Sequence, residues 1–519
     1  MKICPWFANA SVSSTNNMQR IITIVLVLLA ALLIAQAAFS LQWPIAHDEA
    51  PLLYESFLMQ NGAIPYKDFF DFQMPGSFIA YYALGIVSSF GPFRLRLLDL
   101  LILAVILTIT FFAMRRFGKI PAFAAILLFG LKYLQGGPAL SLQREYLILI
   151  FISLSIWIGV SDSQTFNKRL MLGLLYGLAA TLKPHAALGL LPFLLFDIAD
   201  LRERRELSLS TLAKQIILPA AIGFIIPIAV IAAWLALTGA LSPFVDIALN
   251  YWSLYAQING EMAVIPSAQR TAYLLNQVWR LGGSALWLIP AGFGIYLNRN
   301  RQAYLLASLA LCYAIYPALS GQFFPYHYIP FLYTILLVAS LSFSTFNPST
   351  RSGQRLRPSA FSLSSVVLLA VILINIRPSQ TFLRQFAGKE IVTASDRAVT
   401  ISAFLQKNLT EGDEVQPLDW TGGSLLAMLE NRAPIATSYI FDFYFYHHVS
   451  NPYIQSLRSD FTNQLTERKP RFIIEVTAID KPWVSGEDTT RDFPELRKFL
   501  DENYSVTMER EDYKIYERR

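Results

Sequence analysis

Pro44-Ile45-Ala46-His47-Asp48-Glu49-Ala50 follows directly on an apolar run, Ile21 to Leu41, that Arg20 precedes. About 20 apolar residues in helical form cross a bilayer core, so the run reads as a first span. Asp48 and Glu49 are then the first charged residues to leave it. Acidic residues contribute little to orientation, so topology does not require them here. They read either as a solvated helix N-terminus, where the dipole favours acids, or as the reactive part of an outer loop spanning 42–94. The triplet Ala35-Gln36-Ala37 resembles a signal-peptidase site. The apolar run is long for a signal peptide, and we read it as an uncleaved anchor.

The chain has 519 residues, 54% hydrophobic and 15% charged, against about 25% charged in soluble domains. That excludes a soluble enzyme, a disordered protein and a nucleic-acid binder. The net charge of +6 is unevenly placed. From Gln380 onward there are about 17 basic and about 22 acidic residues, and before it about 25 basic and about 14 acidic. The sequence therefore predicts a membrane body over 1–379 and a mildly acidic, soluble α/β domain over 380–519. Cys4 and Cys312 imply neither a disulfide framework nor a metal site.

Ten further apolar stretches follow the first: Leu95–Met114, Pro121–Leu134, Leu147–Val160, Leu170–Leu182, Ala186–Ile198, Ile216–Leu237, Ser284–Tyr296, Tyr304–Ser320, Tyr328–Phe343 and Phe361–Ile376. With the N-terminus inside, every second connection is basic: Arg115, Arg116 and Lys119; Lys168 and Arg169; Arg202 to Lys214; Arg299 and Arg301; Arg351, Arg355 and Arg357. The positive-inside rule expects this alternation. It requires Pro75–Phe90 to be a half-inserted interfacial helix, and Leu170–Ile198 to be a hairpin broken at Lys183-Pro184-His185. The expectation is about eleven spans in a cytoplasmic (inner) membrane, with the tail outside.

The outward loops carry the unusual polar residues. Tyr66-Lys67-Asp68-Phe69-Phe70-Asp71-Phe72-Gln73-Met74-Pro75 alternates aromatics with charges. Tyr66, Lys67, Asp68 and Asp71 suit a polyol pocket, with carboxylates for hydroxyls and rings for stacking; they equally suit an aromatic belt. Arg144 and Glu145 lie at the outer mouth of the fourth span, where they either pair with one another or bind substrate. Lys183, beside His185 at a hairpin tip, either snorkels or binds a buried anion. His327 is a hydrogen-bonded histidine or a phosphate ligand. Acids facing cations at headgroup level suit transfer from a lipid-borne phosphate: a carboxylate takes the acceptor's proton and cations stabilise the leaving phosphate. No nucleotide-binding loop or transporter repeat is present. No cofactor is called for, although the acidic loop leaves room for a divalent cation.

Several of these features together resemble the GT-C glycosyltransferases, in the branch with protein O-mannosyltransferases and the lipid A aminoarabinose transferase. They are Asp48-Glu49, the Pro75 segment leading to Phe90-Gly91 and Arg96, Arg115-Arg116-Phe117-Gly118, and the polar turn before the fourth span. The resemblance covers roughly residues 20–345 and is sharpest in the first hundred. It implies an inverting membrane transferase in the bacterial cell envelope. Such an enzyme takes a sugar from a polyprenyl-phosphate donor and gives it to a lipid, glycan or protein acceptor among the membrane lipids. By the same resemblance Asp48 is the base or acceptor-binding acid, with Glu49 its usual neighbour. Two positions depart from the branch. Gln73-Met74-Pro75 stands where it usually has Glu-Lys-Pro, and Arg144-Glu145 where it has an aspartate. Lys183 and Arg144 are placed to supply the missing charge. Rival readings are a transporter or flippase of lipid-linked sugars and a non-catalytic envelope assembly protein.

In the tail the pattern predicts helices over Asp396–Leu409, Ser424–Glu430 and Phe493–Asn503, strands over Glu414–Leu418 and Arg471–Val476, and a hairpin over Ser505–Tyr516. Asp419-Trp420-Thr421-Gly422-Gly423 reads as a strand-to-helix turn or an anion seat. The aromatic segment Phe441–His448 is expected against the membrane body. The tail reads as a lid or acceptor-docking element.

Overall fold

The computed structural model describes residues 5–161, 165–344, 358–391, 393, 396–479 and 481–519. Cys4 and the basic residues Arg351, Arg355 and Arg357 lie outside the described residues. Each apolar stretch forms a helix. Among the described residues six helices are long and apolar enough to cross a membrane, and a seventh results if Ser362–Asn375 and Gln380–Phe386, bent by 65°, count as one span. The remaining stretches are shorter. Lys119–Gln135 and Phe166–Leu182 have 17 residues each and Leu149–Gly159 has 11. A 17-residue helix rises roughly 26 Å, just under a core of roughly 30 Å, so length alone does not decide whether these cross. The protein is a polytopic, mostly helical membrane protein. Pro75–Ser88 has 14 residues, roughly 21 Å, and ends where Ser89 and Phe90 take left-handed backbone conformations.

The chain breaks at Lys183. Pro184 disfavours the helical region for the residue before it, and Lys183 is extended at φ −146° and ψ 106°. Phe166–Leu182 and Leu218–Thr238 then lie side by side in the same direction. A Cβ at Gly173 would land on the carbonyl oxygen of Ala220, and one at Gly177 on that of Phe224. Two parallel neighbours need one return pass between them, and Leu190–Glu203 supplies it. Charges mark the opposite end of this bundle. Arg169 Nε meets Asp197 at 2.7 Å, its Nη1 donates to the carbonyl of Gln215 at 2.7 Å, and Arg301 meets Asp200 at 3.0 Å. Three helix starts and one helix end therefore share a side, with Lys183 on the other.

The C-terminal part carries a four-stranded sheet. β1 (Val415–Leu418) pairs parallel with β2 (Phe472–Val476), and β4 (Tyr513–Arg518) pairs antiparallel with both β2 and β3 (Tyr504–Glu509), giving the order β1-β2-β4-β3. β1 and β2 are buried along their whole length, whereas β3 at the edge is largely exposed. The helix Pro452–Arg468 adds to the elements expected from sequence. It is mostly polar, with Ile454, Leu457, Phe461 and Leu465 as its inward stripe.

This part is seated on the membrane body. Tyr54 Oη donates to the carbonyl of Ala433 at 2.7 Å, the Phe70 amide donates to Ser438 O at 2.7 Å, and Tyr444 Oη donates to Phe70 O at 3.2 Å. His447 Nε2 meets Tyr251 Oη at 3.1 Å. The aromatic segment thus packs on the segment between Phe69 and Phe72 and on the helix Leu241–Asn250 and its continuation.

Small residues let helices approach closely in membranes, and overpacking such a contact costs about 1–3 kcal/mol. Gly173→Ala is expected to lower the unfolding temperature of the detergent-solubilised protein. Gly292→Ala, whose added methyl meets no atom within 4 Å, is expected to leave it unchanged.

Candidate functional site

Asp48 precedes the helix Glu49–Gln60 at its N-cap, yet its side chain caps nothing. Nor is it solvated: Asp48 is 6% exposed and Glu49 1%. The carboxylate turns into the protein, where Oδ2 accepts from Arg144 Nη2 at 2.9 Å and Oδ1 faces His47 Nδ1 at 2.8 Å. Burial alone would raise its pKa, but the charges of His47 and Arg144 outweigh that. They hold the carboxyl well below the usual carboxylate range. Glu49 points elsewhere and pairs with the fully buried Arg96, which also donates to Ser141 Oγ and to Pro44 O. Asp99 completes this group, accepting from Tyr133 Oη at 2.5 Å and from Ser141 Oγ at 2.7 Å. The Arg96 network locks the segment from Pro44 to Glu49 onto the helix Pro92–Met114 and the turn before Arg144.

Arg144 and Glu145 do not pair with each other. Successive residues of the helix Arg144–Leu147 diverge, so Arg144 reaches Asp48 while Glu145 reaches the opposite side. There Glu145 Oε1 meets Lys183 Nζ at 3.1 Å, Tyr316 Oη at 3.4 Å and His327 Nε2 at 3.6 Å. Lys183 has a side chain only 18% exposed, which is not the posture of a snorkelling lysine. Glu145, Lys183, His185, His327, Gln73 and Met74 line a cavity of about 380 Å³. Leu182 belongs to this cavity and also to an apolar groove of about 270 Å³ that continues past Leu84, Ile102, Ile150 and Phe151. A charged chamber thus opens beside a greasy one.

On the far side of Arg144 lies a small acidic cavity lined by Asp48, Glu55, Asp71, Gln73 and Arg144, with Trp420 and Phe441 from the C-terminal part. Asp71 Oδ1 accepts from the amides of Phe72 at 2.5 Å and Gln73 at 3.3 Å. Burial first, and then the neighbouring carboxyl of Asp71, push Glu55 well above the usual range, and burial raises Asp71 to about 6. The other three residues of that loop go elsewhere. Tyr66 Oη donates to Gln73 O at 2.6 Å, Lys67 is exposed with Nζ 3.4 Å from Thr238 O, and Asp68 accepts from the Ile64 amide at 2.7 Å. They shape the loop and line neither cavity.

Asp419 fills the turn that read as an anion seat, accepting from the amides of Trp420, Gly422 and Ser424 and from Ser424 Oγ. Its carboxylate takes the place an anion would use. Among the described residues no three His, Cys, Asp or Glu side chains are grouped to hold a metal ion. Glu55, Asp99, Tyr316, Trp420 and Phe441 were not evident from sequence as site residues. Glu55 had a local signal: it lies seven residues after Asp48, two turns along one helix face.

These centres sit in a polytopic body with the GT-C fold. Among solved structures, ArnT from Cupriavidus metallidurans bound to undecaprenyl phosphate matches at TM-score 0.55 and 12% identity, covering 95% of this chain and 97% of that one. The apo state of the same protein matches at 0.53 and 12%, covering 95% and 98%. The arabinofuranosyltransferase AftD from Mycobacteria aligns at 0.45 and 11%, over 94% of this chain and 41% of that one. Neither a family model nor a curated protein matches in sequence.

The raised carboxyls set a pH dependence. Between about pH 4 and the folded-state values, Glu55 and Asp71 keep protons that the unfolded chain has released, so stability falls as pH rises through that window. The unfolding temperature of the solubilised protein is expected to drop between pH 5 and pH 8. Glu55→Gln is expected to flatten that drop by raising the pH 8 value; an unchanged slope would contradict the buried pair.

Proposed function

We propose that the protein is a membrane glycosyltransferase that moves a sugar from a polyprenyl-phosphate donor to an acceptor hydroxyl on the outer face of the cytoplasmic membrane. The observation that carries this reading is the pair of centres divided by one peptide bond. Arg144 and Asp48 face an acidic cavity, while Glu145, Lys183 and His327 face a larger chamber that shares Leu182 with an apolar groove beside it. A lipid phosphate fits the second arrangement, with its headgroup at Lys183 and its prenyl chain along Leu182 and Phe151. The likeness in fold to ArnT, solved with undecaprenyl phosphate, supports the same reading. In keeping with it, the membrane body over 1–379 makes about eleven crossings, and the α/β domain over 380–519 lies outside.

Asp48 takes the proton from the acceptor hydroxyl as that oxygen attacks the anomeric carbon of the donor. The bond from the anomeric carbon to the phosphate oxygen breaks, and the configuration inverts. The phosphate leaves with one more negative charge than it carried in the ester. Lys183, a cation already in place as a point charge, stabilises that charge, while Arg144 stays with Asp48 on the other side. Glu145 keeps Lys183 charged while the chamber is free of donor, since an unpaired buried lysine tends to lose its proton.

Removing a general base costs typically 10²–10⁴ in rate. Asp48→Asn is therefore expected to abolish sugar transfer in detergent while the protein keeps its expression and thermal transition. Near-normal turnover would reassign the base. Lys183→Met is expected to lower turnover about 10²-fold at saturating donor, the scale of a lost oxyanion donor, and Lys183→Arg to recover part of it. Wild-type rates for Lys183→Met would remove that lysine from the phosphate site.

A further inference from the structure

Gln73 stands where the two centres meet. Among the described residues it alone lines both the small cavity at Asp48 and the chamber at Lys183. Its backbone is held in place by several partners. The Gln73 amide donates to Asp71 Oδ1 at 3.3 Å, its carbonyl accepts from Tyr66 Oη at 2.6 Å, and Trp252 Nε1 donates to the carbonyl of Phe72 at 2.9 Å. The side chain is half-buried and makes no hydrogen bond to another described residue. A free amide thus projects from a fixed stem. The two spaces it borders differ in what they admit. The cavity at Asp48 has about 10 Å³ of free volume, room for about one water and none for a sugar ring. The chamber has about 380 Å³, inside the range of about 300–1,000 Å³ usual for small-ligand pockets. Trp252 and Tyr255 contribute rings to its wall.

We propose that the chamber takes the donor's sugar ring together with its phosphate, that this sugar is uncharged, and that Gln73 reads the hydroxyl next to its anomeric carbon. This rests on the transferase reading above. In an inverting displacement the incoming oxygen and the leaving group take opposite faces of the anomeric carbon. With the base at Asp48 and the phosphate at Lys183, that carbon has to lie where the two linings join, at Gln73. A side-chain amide both donates and accepts, as a hydroxyl does, so the two match with no charge on either. The phosphate takes up Lys183, and Glu145 beside that lysine repels a second anion. An ammonium group on the ring would meet Lys183 instead. A hydrogen bond to the hydroxyl beside the anomeric carbon strengthens in the transition state, so Gln73 acts on rate as well as on binding.

The test uses the full-length protein in nanodiscs and reads competition against labelled undecaprenyl phosphate. The probes are undecaprenyl phosphate itself, its glucosyl, galactosyl and mannosyl esters, and the 2-deoxyglucosyl and 2-deoxygalactosyl esters. The 2-amino-2-deoxyglucosyl and glucuronosyl esters supply the charged counterparts. At least one neutral ester is expected to bind roughly tenfold tighter than its 2-deoxy form, the scale of about one hydrogen bond. Gln73→Ala is expected to lose that difference, to match wild type on the 2-deoxy esters, and to bind undecaprenyl phosphate unchanged, which also shows that it is folded. Equal binding of every ester and its 2-deoxy form by the wild type overturns the proposal without recourse to a variant. So does a loss in Gln73→Ala that is as large on the 2-deoxy esters, or a charged ester that binds tighter than every neutral one. A transfer assay with the same esters separates the two readings. Sugar binding that depends on Gln73, with no transfer from any ester, would sink the transferase reading and leave the sugar site standing. Transfer at one rate from an ester and its 2-deoxy form, unchanged in Gln73→Ala, would do the reverse.

Discussion

The ion pair between Arg144 and Asp48 joins residues 96 positions apart and is almost wholly buried. Desolvating two such charges costs several kcal/mol per ion, and their attraction repays this only where the remaining polar atoms are also satisfied. Such a pair is poor evidence for stability and better evidence for placement. It fixes the segment that follows Ser40 against the turn that opens the helix Arg144–Leu147, and the Arg96 network beside it holds the same two segments. With those elements joined, Asp48 cannot relax into the solvated N-cap that its sequence position invites.

Arg144 and Glu145 then act as a partition. Because neighbours on a helix diverge, one backbone step sends a cation into the acidic cavity and a carboxylate into the chamber that holds Lys183. Acids gather on the Asp48 side around the single guanidinium of Arg144, and on the other side Lys183 is the cation that faces the larger chamber. Glu145 counterbalances Lys183 from within the chamber, so an arriving phosphate would compete with it for Lys183 rather than meet a bare cation.

Much of this was legible in sequence where the signal was local. Each apolar stretch is helical, the break at Lys183-Pro184 lies where proline requires it, and the strands and most helices of the tail match their patterns. Pro452–Arg468 escaped because four apolar residues in a polar helix give little contrast. The amphipathic helix Ser267–Arg280 escaped because it lies in a connection between apolar runs. The alternating segment from Tyr66 misled for a different reason. It is a wound loop, not an extended one, so Asp68 turns back to the Ile64 amide and, of its charged residues, only Asp71 reaches the cavity. Long-range pairings such as Asp48 with Arg144 leave no trace in spacing. They arise only once the helices pack.

The departure at Met74 becomes intelligible through the packing of two proline turns. Met74-Pro75 and Lys183-Pro184 are both extended residues followed by a proline that opens a helical turn. The fold presses these turns together: Ser77 Oγ donates to Leu182 O at 3.3 Å, and a Cβ on Gly76 would collide with Thr181. Met74 and Lys183 consequently line one cavity from two sides. A lysine before Pro75 and a lysine before Pro184 would deliver charge to the same chamber, so the position in the chain can change while the charge stays near the same place. The backbone decides which side chains reach the chamber, and two distant proline turns give it two entrances for a cation.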